Sequence, residues 1–107
     1  MKAISIKEPW ASMIANGQKT IETRVWKTSY RGKLLICASA APHSILAGNA
    51  IATANLVDCK PMTIMDVGRA CCNVYPNAQS WFLENVKTIA PFKVKGKLRL
   101  FDVNYTE

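Results

Sequence analysis

Residues 16–24, NGQKTIETR, place three charges, Lys19, Glu22 and Arg24, at the point where the chain enters a strand. WASMIA (10–15) ahead of them is a short apolar run, and in TIETRVW (20–26) β-branched and aromatic residues alternate with polar ones. That alternation marks a strand. Its period of two sends Thr20, Glu22, Arg24 and Trp26 to one face and Ile21, Thr23 and Val25 to the other. Gly17 suits the C-terminal cap of the preceding helix, because glycine turns the chain through a positive φ without steric cost. The strand then comes back against the helix end and forms a crevice, with Lys19 at its mouth and Glu22 and Arg24 side by side along one wall.

Working outward, KAISI (2–6) alternates and reads as a first strand, ended by Glu8 and Pro9. Pro9 suits the first turn of the helix. Trp10, Met13 and Ile14 follow at i, i+3 and i+4 and share a face, which puts Trp10 in the core and leaves Trp26 for the cleft. KLLICASA (33–40) is a nearly continuous apolar run that belongs inside the fold. APHSILAGN (41–49) is a short connection, and NAIATANLVDC (49–59) is a long strand. Thr63 is expected to cap a helix over IMDVGRACC (64–72), weakened by Gly68. SWFLENVKTIA (80–90) and KLRLFDVNY (97–105) complete the set. About six strands and two short helices, without βαβ spacing, predict an α+β fold: a small mixed or antiparallel β-barrel with flanking helices.

A chain of 107 residues is expected to form one domain, 1–107. Hydrophobic residues make up 50% and charged residues 20%, which excludes disordered and fibrous classes. Lys and Arg number 14 against 7 Asp and Glu, and the net charge of +7 favours a polyanionic partner. The competing reading is a basic soluble surface. MKAISIKEPW lacks the apolar core of a signal peptide and no run approaches a membrane span, so no membrane association and a cytoplasmic location are expected. Four cysteines without a CxxC pair and a single His43 give no basis for a metal site, and no cofactor is expected.

Aromatics interleaved with cations suit stacking on bases and contact with phosphates. Trp26, Tyr30, Arg31 and Lys33 supply such a mixture close to Lys19, Glu22 and Arg24. In FKVKGKLRL (92–100), Lys93, Lys95, Lys97 and Arg99 recur every second residue, and an extended chain presents all of them on one face. If that stripe adjoins the first cluster, the two form a track for a phosphate backbone. The competing readings are a surface ion pair between Glu22 and Arg24 and lysines that protect an edge strand.

These residues carry a family resemblance. ISIKEPWASMIANGQKTIETRVWKTSYRGKLLICASA resembles the opening of the ASCH domain, the activating signal cointegrator homology domain of the PUA-like superfamily, whose signature G-x-K-x-x-E-x-R is present as Gly17, Lys19, Glu22 and Arg24. The likeness continues through IATANLVDCKPMT and APFKVKGKLRLFDV. It implies a small PUA-like β-barrel and a cleft, lined by the motif, that receives RNA or another nucleic acid. The connection after Ala41 is shorter than in many relatives, so one cleft wall is expected to be missing or supplied by a partner protein. The resemblance also implies an alternative. Some relatives hydrolyse N4-acetylcytidine with a motif lysine, a threonine three residues later and a distant glutamate, and others are proposed to cleave RNA. Lys19 matches that lysine, but Glu22 stands at the threonine position, and Asp66 or Glu84 are the candidates for the distant carboxylate. Nucleic-acid binding ranks first, hydrolysis with Lys19 and Glu22 as catalytic residues second, and a protein-interaction module third. The oligomeric state is not legible in the sequence.

Overall fold

The computed structural model describes all of the chain, Met1–Glu107. Its elements are β1 (Lys2–Ile6), α1 (Trp10–Ala15), β2 (Ile21–Arg24), β3 (Gly32–Ala38), β4 (Asn49–Pro61), a 3-10 turn (Ile64–Asp66) running into α2 (Val67–Ala70), β5 (Gln79–Lys93) and β6 (Leu100–Asp102). The six strands form one sheet in the order β2-β5-β4-β3-β1-β6. β1 and β3 are parallel, and the other neighbours are antiparallel. This is a curled half-barrel of mixed α+β class, as the alternation patterns predict.

The curl originates in the two longest strands. β4 and β5 slip register between Ala50 and Ala52, between Thr53 and Asn55, and between Leu56 and Asp58. The first slip puts two extra residues on β5, the second one more on β5 and the third one on β4, and such insertions bend a strand and sharpen its twist. Asn85, within β5, takes up a left-handed φ of 52°.

The apolar run of β3 fills both sides of the sheet. Leu34, Ile36 and Ala38 join Ile4, Ile6, Leu56 and Trp81 in the main core, where Ala11 and Ile14 of α1 close over them. Leu35 and Cys37 point the other way, toward Ala3, Ala50 and Phe101. A third cluster, of Ile21, Met62, Ala70 and Ala78, seats α2 against β2.

Several expectations are corrected here. The core face of α1 is Ala11 and Ile14, both fully buried, whereas Trp10 is 39% exposed. The small Ala11 lets the helix approach the sheet closely, and that leaves the bulky first residue at the edge. The carboxylate of Glu8 fixes this orientation by accepting the Ser12 backbone N–H at 2.7 Å, which satisfies a helix-end donor. The core tryptophan is Trp81, with no exposure. β2 stops at Arg24 because its partner β5 begins opposite it, at Gln79. The expected helix over 64–72 is instead a 3-10 turn and a single α-turn, ended by Cys71 at φ 57°. Its first turn is tied by Asp66 Oδ2, which accepts the Thr63 N–H at 3.1 Å.

The closing strand is also shorter than expected. Residues 94–99 lie outside any strand and Arg99 adopts φ 60°, so the chain from Lys93 to Arg99 is a bent strap. The predicted single-faced stripe does not form, because period-two display requires an extended chain.

Candidate functional site

The motif segment is positioned by the turn that leaves α1. Gly17, at φ 85°, lets its own N–H reach the Ile14 carbonyl at 3.1 Å, and the Lys19 N–H then returns to the Met13 carbonyl at 3.0 Å. The result tucks Lys19 beneath the helix end, leaving it 2% exposed, so it belongs to the floor of the crevice and not, as expected from sequence, to its mouth. Its Nζ donates to the carbonyl of Ala70, the last residue of α2, and stands 3.7 Å from Glu22 Oε1. The other Glu22 oxygen accepts from Arg24 Nε at 2.9 Å. Arg24 Nη2 donates in turn to the carbonyl of Ser5, on β1, at 2.9 Å.

A carboxylate as buried as Glu22 is tolerable only with partners, since an unpaired charge out of water is costly. Lys19 and Arg24 supply them on either side, and the trio retains one unit of positive charge. The surface ion pair of the competing reading is thereby replaced by a buried chain of charges that ties α2, β2 and β1 together.

This chain lies along a cleft of about 830 Å³ between β1, β2, the end of β3 and the 94–99 strap. The residues lining it include the cations Lys7, Lys19, Arg24, Lys97 and Arg99, against the single carboxylate of Glu22. Trp10, Trp26 and Tyr75 supply aromatic wall, and Val25 and Leu98 are exposed apolar groups at the rim. On the side of the short connection the wall is built of Ser39, Ala40 and Gly48, all small. Cys37 also lines the cleft, but burial pushes its thiol up to about 12, which keeps it protonated and non-nucleophilic.

Among the residues singled out from the sequence, Lys19, Glu22, Arg24 and Trp26 come together in this cleft. Tyr30, Arg31 and Lys33 do not. The Tyr30 hydroxyl donates to the Lys33 carbonyl, Arg31 lies 3.7 Å from Asp58, and Lys33 pairs with Glu107 at 2.9 Å. The strap divides its cations: Lys97 and Arg99 reach the cleft, whereas Lys93 and Lys95 are exposed elsewhere, with Val94 and Gly96 lining the cavity in their stead. Neither proposed distant carboxylate is present. Asp66 is held by Ser80 Oγ at 2.9 Å, and Glu84 is exposed on β5 opposite Asn55. His43 lies exposed in the connection. No His, Cys, Asp and Glu side chains gather in threes where a metal ion could sit.

Sequence reasoning missed Lys7 and the rim position of Trp10. Lys7 was legible: it follows β1 in phase with Ser5, which also lines the cleft.

Comparison with known proteins agrees with the architecture. The ASCH domain family model matches residues 4–93, a span that ends with the last residue of β5. An ASCH structure from Zymomonas mobilis superposes with a TM-score of 0.73 at 17% identity, covering 96% of this chain and 87% of that one. A structure of a single-site mutant of the Zymomonas mobilis protein gives a TM-score of 0.71, also at 17% identity, over 96% and 89%. In sequence, the chain is 46% identical over 41 residues to activating signal cointegrator 1 of Homo sapiens, and 44% identical over 36 residues to that of Mus musculus. The matched stretch is 38% of this chain but 7% of the human protein, and 34% against 6% for the mouse one. No helix is long and apolar enough to cross a membrane.

Proposed function

The chain belongs to the ASCH domain family, and from that premise we propose that it binds nucleic acid, RNA in the first instance, in the cleft between β1, β2 and the 94–99 strap. One observation carries the reading: five cations face one carboxylate in a single concavity that also holds two tryptophans. Phosphates require the first and unstacked bases the second.

The lining residues divide the work. Lys7, Lys97 and Arg99 are exposed and suited to meet phosphates directly. In this reading the buried Glu22 serves the ligand indirectly, by holding Arg24, which lines the cavity. Lys19 secures the floor through Ala70 and adds to the positive field. Trp10 and Trp26 offer ring surface for bases. Arg31 and Lys33, paired with Asp58 and Glu107, and Lys93 and Lys95 stand outside the cleft and make no phosphate contact, and Tyr30 keeps the turn before β3 in shape. The chain from 1 to 107 acts as one unit in this scheme.

The test is a titration with a short single-stranded RNA at low and at physiological salt. Saturable binding that weakens steeply with salt is the expected result. No binding at low salt, or binding indifferent to salt, rejects the proposal.

A hydrolase acting on RNA or a modified nucleoside is the second reading, favoured by the placement of Lys19 and Glu22 together on a concave surface, 3.7 Å apart. Here Lys19 would have to release a proton from an ammonium already bound to the Ala70 carbonyl. Release of acetate from N4-acetylcytidine, or of RNA fragments, at an enzymatic rate that Glu22→Gln abolishes would establish it.

A further inference from the structure

Trp26 packs edge to face with the buried Trp81, with ring centroids 4.8 Å apart and planes at 90°. A T-shaped contact uses at most one face of an indole. Arg99 takes ring surface that remains: its guanidinium lies 4.7 Å from the Trp26 centroid, and both residues line the cleft.

Little holds that guanidinium in place. It has no salt bridge and no hydrogen bond to the rest of the protein. The strap that carries it makes one backbone hydrogen bond, from the Val94 N–H to the Gly48 carbonyl at 2.9 Å. Leu98 beside it is 93% exposed. The pair that flanks Phe82 differs. Lys60 and Arg69 lie 5.1 and 5.3 Å from that ring, and Arg69 is also anchored by Thr20 Oγ1 at 2.9 Å.

Building on the nucleic-acid reading above, we propose that Trp26 is the stacking subsite for one unpaired nucleobase and that Arg99 is its displaceable cover. In the free protein the guanidinium lies on the indole. When a strand enters, the base takes the ring surface and Arg99 turns to the phosphate that the base carries. Each partner gains in the exchange, because an exposed cation–π contact is the weaker kind, a base stacks on any aromatic face, and a guanidinium meets a phosphate in bidentate fashion.

Adenosine, which has no phosphate, separates the two roles of Arg99. Binding is followed through the Trp26 indole N–H signal, assigned with Trp26→Phe. Arg99→Ala is expected to bind adenosine roughly two- to fivefold more tightly than the wild type, the fold equivalent of an exposed cation–π contact. With an oligoadenylate, the same variant is expected to show a log–log salt slope shallower by about 0.7, because one phosphate contact is gone. Arg99→Gly, which accepts the positive φ without strain, should behave alike and guards against a folding artefact. Adenosine bound no more tightly by the variants, or leaving the Trp26 signal unmoved, overturns the inference while RNA binding by the wild type stands. Absence of any RNA binding by the wild type overturns both.

Discussion

Arg24 reaches from β2, at one edge of the sheet, to the backbone carbonyl of Ser5 on β1, four places further along the strand order, and the bond is 2.9 Å. Backbone pairing never joins these strands. A side chain closes the curl, and the carboxylate of Glu22 aims that side chain through Arg24 Nε. The E and R of the motif are therefore parts of the barrel as well as of the cleft.

Glu22 should consequently be a stability residue. Glu22→Ala removes the only carboxylate near a 2% exposed lysine and a half-buried arginine. Breaking a buried charge pair from one side costs about 3 kcal/mol at the lower end of the measured range, and the partial exposure of Arg24 argues for that end. Glu22→Gln keeps an oxygen for Arg24 and should lose less. Urea unfolding of both variants checks the order; an alanine variant as stable as the wild type would show that the trio contributes nothing to the fold.

The tryptophans give a second stability test. Trp81 is fully buried in the main core, so Trp81→Ala should cost about 3 to 5 kcal/mol. Trp10 is partly solvated at the cleft edge, and Trp10→Ala should cost less than half as much while weakening RNA binding. Melting curves in which Trp10→Ala is the more damaging change would contradict the burial pattern.

The exposure of Trp10 overturns the expectation from sequence, which put it in the core, and the reason shows where sequence reading reached its limit. Gly17, Lys19, Glu22 and Arg24 were legible because a helix stop and a period-two strand are local properties. The continuous apolar run of β3 was legible for the same reason. Trp10 was not, since helical spacing identifies an apolar face but cannot show that Ala11 would pack closest. Lys93 and Lys95 were separated from Lys97 and Arg99 because the chain leaves strand geometry after Lys93, and nothing in K-V-K-G-K-L-R announces that departure or the positive φ of Arg99. The charges on Arg31 and Lys33 looked like cleft residues until the partners Asp58 and Glu107, distant in sequence, were seen beside them.

Cys37 predicts an alkaline signature. Its thiol is raised from 9.0 to about 12 by burial. The folded state therefore holds a proton that the unfolded chain releases near pH 9.0, so the stabilisation is complete below pH 9.0 and is lost between 9.0 and about 12. In that window the slope should reach at most about 1.4 kcal/mol per pH unit. Comparing the unfolding free energy of the wild type and Cys37→Ala across this range checks it: the difference between them should shrink as pH rises, and a constant difference would refute the assignment. Thiol labelling at about pH 8, just under the ordinary thiol range, should meanwhile modify Cys59, Cys71 and Cys72, which are partly exposed, before Cys37.

Salt dependence can separate a phosphate path through the cleft from one along the straight lysine stripe. Single-stranded nucleic acid gives a log–log slope of about −0.7 per phosphate neutralised. Three exposed cations line the cleft, Lys7, Lys97 and Arg99, so the wild-type slope should be about −2. Lys7→Gln and Lys97→Gln should each reduce its magnitude by about 0.7. Lys93→Gln and Lys95→Gln remove the same charge from the same or a neighbouring stretch of chain, yet they should leave the slope near the wild-type value, because their side chains are not among those lining the cavity. Lys33→Gln should behave likewise, since Lys33 is already paired with Glu107. If Lys93→Gln and Lys95→Gln flatten the slope as much as Lys97→Gln does, the bound strand follows the outer surface of the strap, and the cleft is not where the phosphates lie.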